Sequence, residues 1–185
     1  MNEREFADLR ARAGEALLQV GRGYETGNGV GKDEAEAVKW YRMAAELGDA
    51  EAQFELGRCY AFGIGVRRNR VTACKWLQNA AEQRHVKAML MLGTWYRSGY
   101  GVEERPREAV KWFRRAAEMG DARAMFELGD CYDTGIGVKK DLDAAYLWFC
   151  RAALTVPEDE EMYQRVQTRI YSPELKEVME HRERG

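Results

Sequence analysis

Apolar residues return along this chain in four successive segments, each 36 residues long. Within a segment they recur at every third or fourth position, as Ala52, Leu56 and Tyr60 do, which places them on one helical face. A Gly-x-Gly pair then interrupts the pattern, and a second helical run with an Ala-Ala pair follows, as at 80–81. The pattern predicts two helices per segment, with a turn at the glycines.

Identical residues mark the same repeat, and they fall in register without a gap. Such copies predict stacked helix pairs, because one pair cannot bury both of its faces. The predicted fold is all-α: a right-handed α-solenoid of four 36-residue helix-pair repeats with N- and C-terminal capping helices. The matching sets are Gly21, Gly57, Gly93 and Gly129; Tyr24, Tyr60, Tyr96 and Tyr132; Gly29, Gly65, Gly101 and Gly137; Val30, Val66, Val102 and Val138; and Trp40, Trp76, Trp112 and Trp148.

The ends of the chain lack this signature and are predicted to cap the stack. At the N-terminus, Phe6 and Leu9 are expected to cover the first repeat. At the C-terminus, Met162, Val166 and Ile170 form an amphipathic stripe that either caps the last repeat or folds back into the binding groove. The predicted boundaries are 1–13 for the N-terminal cap, 14–156 for the repeats (14–49, 50–85, 86–121 and 122–156), and 157–185 for the C-terminal caps.

The sequence also predicts where individual helices begin and end. Gly63 is expected to end a helix in the left-handed conformation, which glycine adopts without a Cβ clash. Asn69 is a good N-cap for the next helix, and Pro106 suits the first turn of its equivalent. Gly57, inside a helix, costs about 1 kcal/mol relative to alanine. We attribute this glycine to close approach of the partner helix, with the Trp76 ring nearby, and we expect either Trp76 or Leu77 to face inward.

The columns A-x-x-x-L-G-x-x-Y-x-x-G-x-G-V and A-x-x-W-x-x-x-A-A-x-x-G, over residues 14–153, resemble the Sel1-like repeat family, a branch of the tetratricopeptide superfamily. The resemblance implies an adaptor or scaffold that binds proteins or peptides. Many members are bacterial and serve in signalling, secretion or host contact. It also implies that the first helix of each pair lines a concave face.

Specific binding is expected in the columns of the first helices that vary. The column of Leu18 is apolar in every copy, so it either packs against the neighbouring helix or forms the floor of a peptide groove. Arg22, Arg58 and Arg97 are suited to carboxylates or aromatic rings of a partner. The predicted partner-binding residues are Leu18, Arg22, Phe54, Glu55, Arg58, Leu90, Thr94, Arg97, Phe126, Glu127 and Asp130.

Two positions depart from the repeat pattern. In "EQRHVKA", Arg84 and His85 replace the glycine and the capping aspartate of the first copy. The change reflects either sequence drift at an exposed turn or a contact specific to this protein. The sequence places no partner for a metal-binding or general-base role near His85. Leu147 replaces a lysine that precedes the tryptophan in the other copies, and a contact with the C-terminal cap is expected there.

Composition narrows the partner class. The chain has 29 basic and 31 acidic residues and a net charge of −2, which gives no global attraction to nucleic acid or to anionic membranes. It has no apolar run of about 20 residues. The N-terminus lacks a hydrophobic signal core, so the chain as given is expected in the cytoplasm; a trimmed periplasmic or secreted protein would look the same. We expect a monomer.

No catalytic or cofactor motif is visible. The Gly-x-Gly loops lack the strand and the GK[ST] of a phosphate loop and are interpreted as turns. Cys59, Cys74, Cys131 and Cys150 form no CxxC pair, and no zinc spacing occurs. They are interpreted as reduced, buried residues, with a Cys59–Cys74 link as the alternative.

The sequence therefore predicts a protein without cofactor or catalytic activity, an adaptor that binds a protein or peptide on its concave face. The alternative is an inhibitor or immunity-type protein that blocks an effector or enzyme with the same surface.

Overall fold

The computed structural model describes residues 2–155, 160–176 and 178, and within them the chain forms helices and turns but no strand. Two compact units divide the chain, residues 1–88 and 89–185. The long helices are α1 (Glu3–Thr26), α2 (Glu34–Glu46), α3 (Ala50–Phe62), α4 (Arg70–Glu82), α5 (Val86–Ser98), α6 (Pro106–Glu118), α7 (Ala122–Thr134), α8 (Leu142–Thr155) and α9 (Glu160–Ile170).

Helix starts repeat at the predicted spacing. Helices α2, α4, α6 and α8 begin at 34, 70, 106 and 142, and α3, α5 and α7 begin at 50, 86 and 122. The Asp33 carboxylate accepts the Glu36 N–H at 2.9 Å, and Asn69 caps α4 in the same way. Gly63 ends α3 with a left-handed φ of 78°. The predicted helix pairs and these end signals are confirmed.

The core of each helix pair contains the residue after the tryptophan rather than the tryptophan itself. Of the two residues expected to face inward, Leu77 rather than Trp76 lies opposite the helix-internal glycine. One step along a helix turns a side chain by about 100°, and that step decides which ring points inward. The tryptophans are half-buried, and Arg115 lies over the Trp112 ring at 4.7 Å. The four residues that follow the tryptophans are fully buried: Tyr41, Leu77, Phe113 and Phe149.

Close helix approach does explain the helix-internal glycines. A β-carbon added at Gly57 would lie 3.0 Å from Leu77 Cγ, and one added at Gly93 would lie 2.6 Å from Phe113 Cδ1. Contacts below 3.0 Å require a neighbour to move. The glycine cost inside these helices is thus offset by the tight packing of the buried side chain opposite.

The second glycine of the Gly-x-Gly loop also makes a close approach. A β-carbon at Gly65 would collide with the carbonyl of Glu34, at the start of the preceding repeat's second helix. Gly137 meets the carbonyl of Pro106 in the same way, whereas a β-carbon at Gly29 would meet nothing within 4 Å. These turns therefore seat one repeat on the one before it.

The N-terminal segment does not form a separate capping helix, as was predicted, but is part of the first helix of the first repeat. Residues 3–26 make one continuous helix, which starts with a capping box between Asn2 and Glu5. The chain continues through Gly14 because its neighbours are good helix formers, and Gly14 itself is buried. Phe6 and Leu9 are 55% and 58% exposed, so they do not cover the first repeat.

At the other end of the chain, α9 packs against α8 within the second unit. Its predicted stripe is buried: Met162, Val166 and Ile170 all face inward, as does Leu175 in the following turn of helix. Leu147, expected to contact this segment, remains 43% exposed. Of the predicted segment 157–185, residues 157–159, 177 and 179–185 lie outside the described residues.

Candidate functional site

In the first unit the predicted binding residues lie on α1 and α3, which are neighbours. A salt bridge network joins the two helices. The Arg58 guanidinium pairs with Glu25 across the helices and with Glu55 at 2.7 Å along its own helix. The Tyr41 hydroxyl donates to the other oxygen of Glu25 at 2.5 Å. The network fixes Arg58 and Glu55 in one arrangement rather than leaving them free in solvent.

The surroundings of this network shift the pKa values of its charged groups. Burial by itself would raise the pKa of Glu25, but the hydrogen bonds from Tyr41 and Arg58 outweigh it and hold that pKa below its ordinary value. Burial would lower the pKa of Arg58, but its bonds to Glu55 and Glu25 raise it instead. Both partners therefore stay charged at neutral pH.

A second cluster on the same face includes His85. The Glu51 carboxylate bonds Arg22 at 2.6 Å and His85 Nε2 at 2.8 Å, and the His85 ring stacks on Phe54 with centroids 4.6 Å apart. His85 Nδ1 accepts the N–H of Ala88 at 3.2 Å, so Nε2 carries the proton that is donated to Glu51. Burial would raise the pKa of Glu51, but these partners lower it.

His85 thus has contacts that its sequence surroundings did not predict. It replaces aspartate as the cap of α5, and Arg84 adopts the left-handed φ of 68° that glycine takes in other copies. The capping interaction that aspartate makes in the first copy is thus kept at "EQRHVKA", since the imidazole ring provides it. Because its ring is largely buried against Phe54, the turn makes a contact specific to this chain.

In the second unit the equivalent network has the opposite polarity. Arg97, at the position of Glu25, pairs with Glu127 at 2.6 Å and lies 3.9 Å from Asp130, at the position of Arg58. The buried ring opposite is Phe113 instead of Tyr41, and the Arg97 guanidinium lies 5.4 Å from its centroid. A cation favours an aromatic face, whereas a carboxylate needs a hydroxyl donor, so each charge has the ring that suits it.

Helix α9 reaches two of the predicted residues on α7. The Arg165 guanidinium lies 4.9 Å from the Phe126 ring, and Arg169 pairs with Asp130 and, at 3.1 Å, with Asp133. Both acidic side chains are therefore already paired in this arrangement. The C-terminal segment packs its apolar stripe on α8 and extends two arginines over the face of α7.

The eleven predicted residues differ in accessibility. Leu18 and Phe126 are buried, with 4% and 8% exposure, whereas Phe54 and Leu90 of the same column are half-buried. Thr94 is exposed and its hydroxyl donates to the Leu90 carbonyl. The charged members, Arg22, Glu55, Arg58, Arg97, Glu127 and Asp130, are half-buried in the networks above.

Several members of these networks were missed in the predicted set. Glu25 and Glu51 lie on the same helices as the predicted residues, and a charge at a variable position was the available signal. His85 had a signal in its departure from the repeat pattern, whereas Arg169 had none. Their contacts join residues 34 and 39 positions apart, so the partners were not visible in the sequence.

Clefts lie on both units. One of about 410 Å³ is lined by residues that include Phe6, Arg10 and Leu47, and one of about 420 Å³ includes Arg123 and Arg165. Among the described residues no group of three or more His, Cys, Asp or Glu side chains could hold a metal ion. No helix in that part of the chain has the length and apolar character needed to cross a membrane.

The four cysteines are free thiols, so the alternative Cys59–Cys74 link is not formed. Burial raises the pKa of Cys59 to about 12 and that of Cys131 to about 11. Thiols with such pKa values are protonated at neutral pH and are poor nucleophiles.

The geometry defines a helical-repeat protein whose first helices carry half-buried, paired charges. Four stretches match the family model of the Sel1 repeat: residues 14–49, 50–85, 86–121 and 122–154. The chain belongs to the Sel1 repeat family, and its all-α helix-pair fold is that of Sel1 repeat solenoids. Proteins of this family generally mediate protein–protein interactions and are typically non-catalytic scaffolds.

Solved structures give the same fold. A Sel1 repeat protein from Oxalobacter formigenes is 40% identical with a TM-score of 0.79, and the match covers 86% of this chain and 64% of that one. The protein c5321, a protective antigen present in uropathogenic Escherichia coli strains, is 39% identical with a TM-score of 0.75, over 76% of this chain and 30% of its own.

Helicobacter pylori cysteine rich protein B shares the fold at 24% identity and a TM-score of 0.54, over 71% of this chain and 92% of that one. No curated protein matches the chain. The chain thus spans less than two thirds of the length of the first two structures it matches.

Proposed function

We propose that this protein is a non-catalytic adaptor that binds a protein or peptide through the faces of its first helices. The observation that carries the proposal is the network of Glu25, Arg58 and Glu55 in the first unit, with the reversed network of Arg97 in the second. Paired, half-buried charges are held in position before a partner arrives, which lowers the entropic cost of binding.

The chemistry of the two faces favours a partner with mixed charge. In the first unit, Arg22 and Glu51 remain more than a third exposed, and the half-buried Phe54 stacks on the His85 ring that bonds Glu51. An exposed ion pair next to a half-buried aromatic ring resembles the polar rim around an apolar contact in protein interfaces. We therefore place the partner contact around Phe54 rather than at the buried Leu18 and Phe126.

A pair of bait proteins tests this proposal. Arg22→Ala combined with Phe54→Ser removes the proposed contact, while the lost exposed ion pair costs at most about 1 kcal/mol of stability. Lys75→Ala, an exposed change on a second helix, is the matched control. Affinity capture from the source cell with mass spectrometry should yield a protein retained by wild type and Lys75→Ala and lost with the double variant.

Circular dichroism must show equal helicity for the baits. Purified candidates are then titrated against each bait, and a loss of at least about tenfold in affinity is expected for the double variant. A partner that binds the double variant as tightly as wild type places the contact elsewhere and contradicts the proposal.

A further inference from the structure

An apolar stripe runs along the outside of α1. Phe6, Leu9, Ala13, Ala16 and Val20 are spaced by three and four residues in turn, and all five are exposed. This spacing is that of the a and d positions of a coiled coil, which meet the facing helix along one seam. We call the stripe formed by these five residues the seam.

Elsewhere in the fold the same columns are covered. Ala16 and Val20 correspond to Ala52 and Leu56 in α3, and both of these are fully buried. The preceding second helix, α2, packs against α3. The corresponding pair in α7 is fully buried as well, and α6 packs there. The seam is therefore a face that this fold covers with a helix.

The length of α1 extends the seam beyond what a repeat needs. The helix has 24 residues, whereas α3 and α7 have 13. The added turns contribute Phe6 and Leu9, two large apolar side chains that no element of the first repeat contacts enough to bury. Ala13 and Ala16 in the middle allow close approach of a facing helix, and the large residues flank them.

The structure also limits what another copy of the chain can offer. A head-to-tail contact would need the last second helix, α8, to face the seam, but α9 covers α8. Contacts that close on themselves with two-fold symmetry use the same surface on both copies. We propose that the seam pairs with the seam of a second copy, giving a symmetric α1–α1 dimer.

This proposal departs from the monomer expected from the sequence. One pair of helices buries less than the roughly 1,200 Å² of a standard stable interface, so a weak dimer follows. Sedimentation equilibrium of the 185-residue chain, at concentrations up to about 1 mM, should show the mass rising from 21.2 kDa toward twice that value.

Two neighbouring substitutions separate the seam from the rest of α1. Val20→Glu places a charge in the seam and should keep the mass at 21.2 kDa at every concentration. Gln19→Glu adds the same charge one residue away, outside the seam, and should leave the dimer intact. Leu9→Lys provides a second seam variant if Val20→Glu loses helicity by circular dichroism.

Three results would overturn the proposal. Wild type remaining at 21.2 kDa throughout would mean that the seam does not pair with itself. Dimerisation that persists in both Val20→Glu and Leu9→Lys would place the interface elsewhere. A monomeric chain that binds a peptide with the sequence of α2, and loses it on Val20→Glu, would assign the seam to the second helix of another repeat.

Discussion

The glycine inside each first helix gives a sharp test of the packing. In the structure, a β-carbon at Gly93 would lie 2.6 Å from Cδ1 and 2.9 Å from Cζ of Phe113, a fully buried ring. At the equivalent Gly57 the nearest atoms are Cγ and Cδ2 of Leu77, at 3.0 and 3.1 Å. An aromatic ring is rigid, whereas a leucine side chain ends in methyl groups that can shift slightly.

Two opposing effects set the magnitude. Alanine is favoured over glycine inside a helix by about 1 kcal/mol. Overpacking a well-filled core costs about 1–3 kcal/mol. The contact at Gly93 is the tighter one, so its overpacking cost should be about 2–3 kcal/mol, and Gly93→Ala should destabilise the protein by about 1–2 kcal/mol net. Gly57→Ala should fall within about 1 kcal/mol of wild type. Adding Phe113→Leu to Gly93→Ala reproduces the Gly57–Leu77 pair and should recover much of the loss.

Urea unfolding followed by circular dichroism measures these free energies, with Phe113→Leu alone completing a double-mutant cycle. The cycle should give a favourable coupling of about 1 kcal/mol between the two substitutions, because alanine at 93 fills space that leucine at 113 leaves. Equal effects of Gly93→Ala and Gly57→Ala, or zero coupling in the cycle, would refute the reasoning that the opposing side chain determines the need for glycine.

Three further predictions follow from individual contacts. Gly65→Ala should lower the free energy of unfolding by more than about 3 kcal/mol, but Gly29→Ala by only about 1–2 kcal/mol. Both glycines have a positive φ, and only Gly65 lies against a backbone carbonyl. Urea titration of the two variants measures the difference. Tyr41→Phe should raise the lowered pKa of Glu25, so its stability deficit should be largest above pH 4.5 and shrink on acidification below it, as measured by unfolding across pH. The Cys59 thiol, with a pKa of about 12, should remain unlabelled by thiol reagents at about pH 8 until the protein unfolds, and rapid labelling of the folded protein would contradict its burial.

Much of the fold was predictable because its signals are local. Gly63 at a helix end and Asn69 at a helix start each act through the backbone within a few residues, so the sequence order is enough to place them. The sequence left open whether Trp76 or Leu77 faces inward, because the two residues are adjacent. Periodicity with a broad apolar face does not separate two neighbouring apolar residues.

The candidate site was less predictable for a different reason. Its networks join Glu25 to Arg58, in neighbouring repeats, and Glu51 to His85, near the two ends of one repeat. Each position varies between copies, and only the packing of α1 beside α3 shows which charges meet. No partner for His85 was visible in the sequence because Glu51, which it bonds, lies 34 positions away.

The polarity reversal between the two networks has a consequence for how repeats can be ordered. If the fourth copy followed the first, Asp130 would face Glu25, and if the second followed the third, Arg58 would face Arg97. Each exchange would bring like charges together at a half-buried contact, which is unfavourable. The charges at the first–second and third–fourth junctions therefore disfavour these swapped orders, which the nearly identical scaffold would otherwise permit.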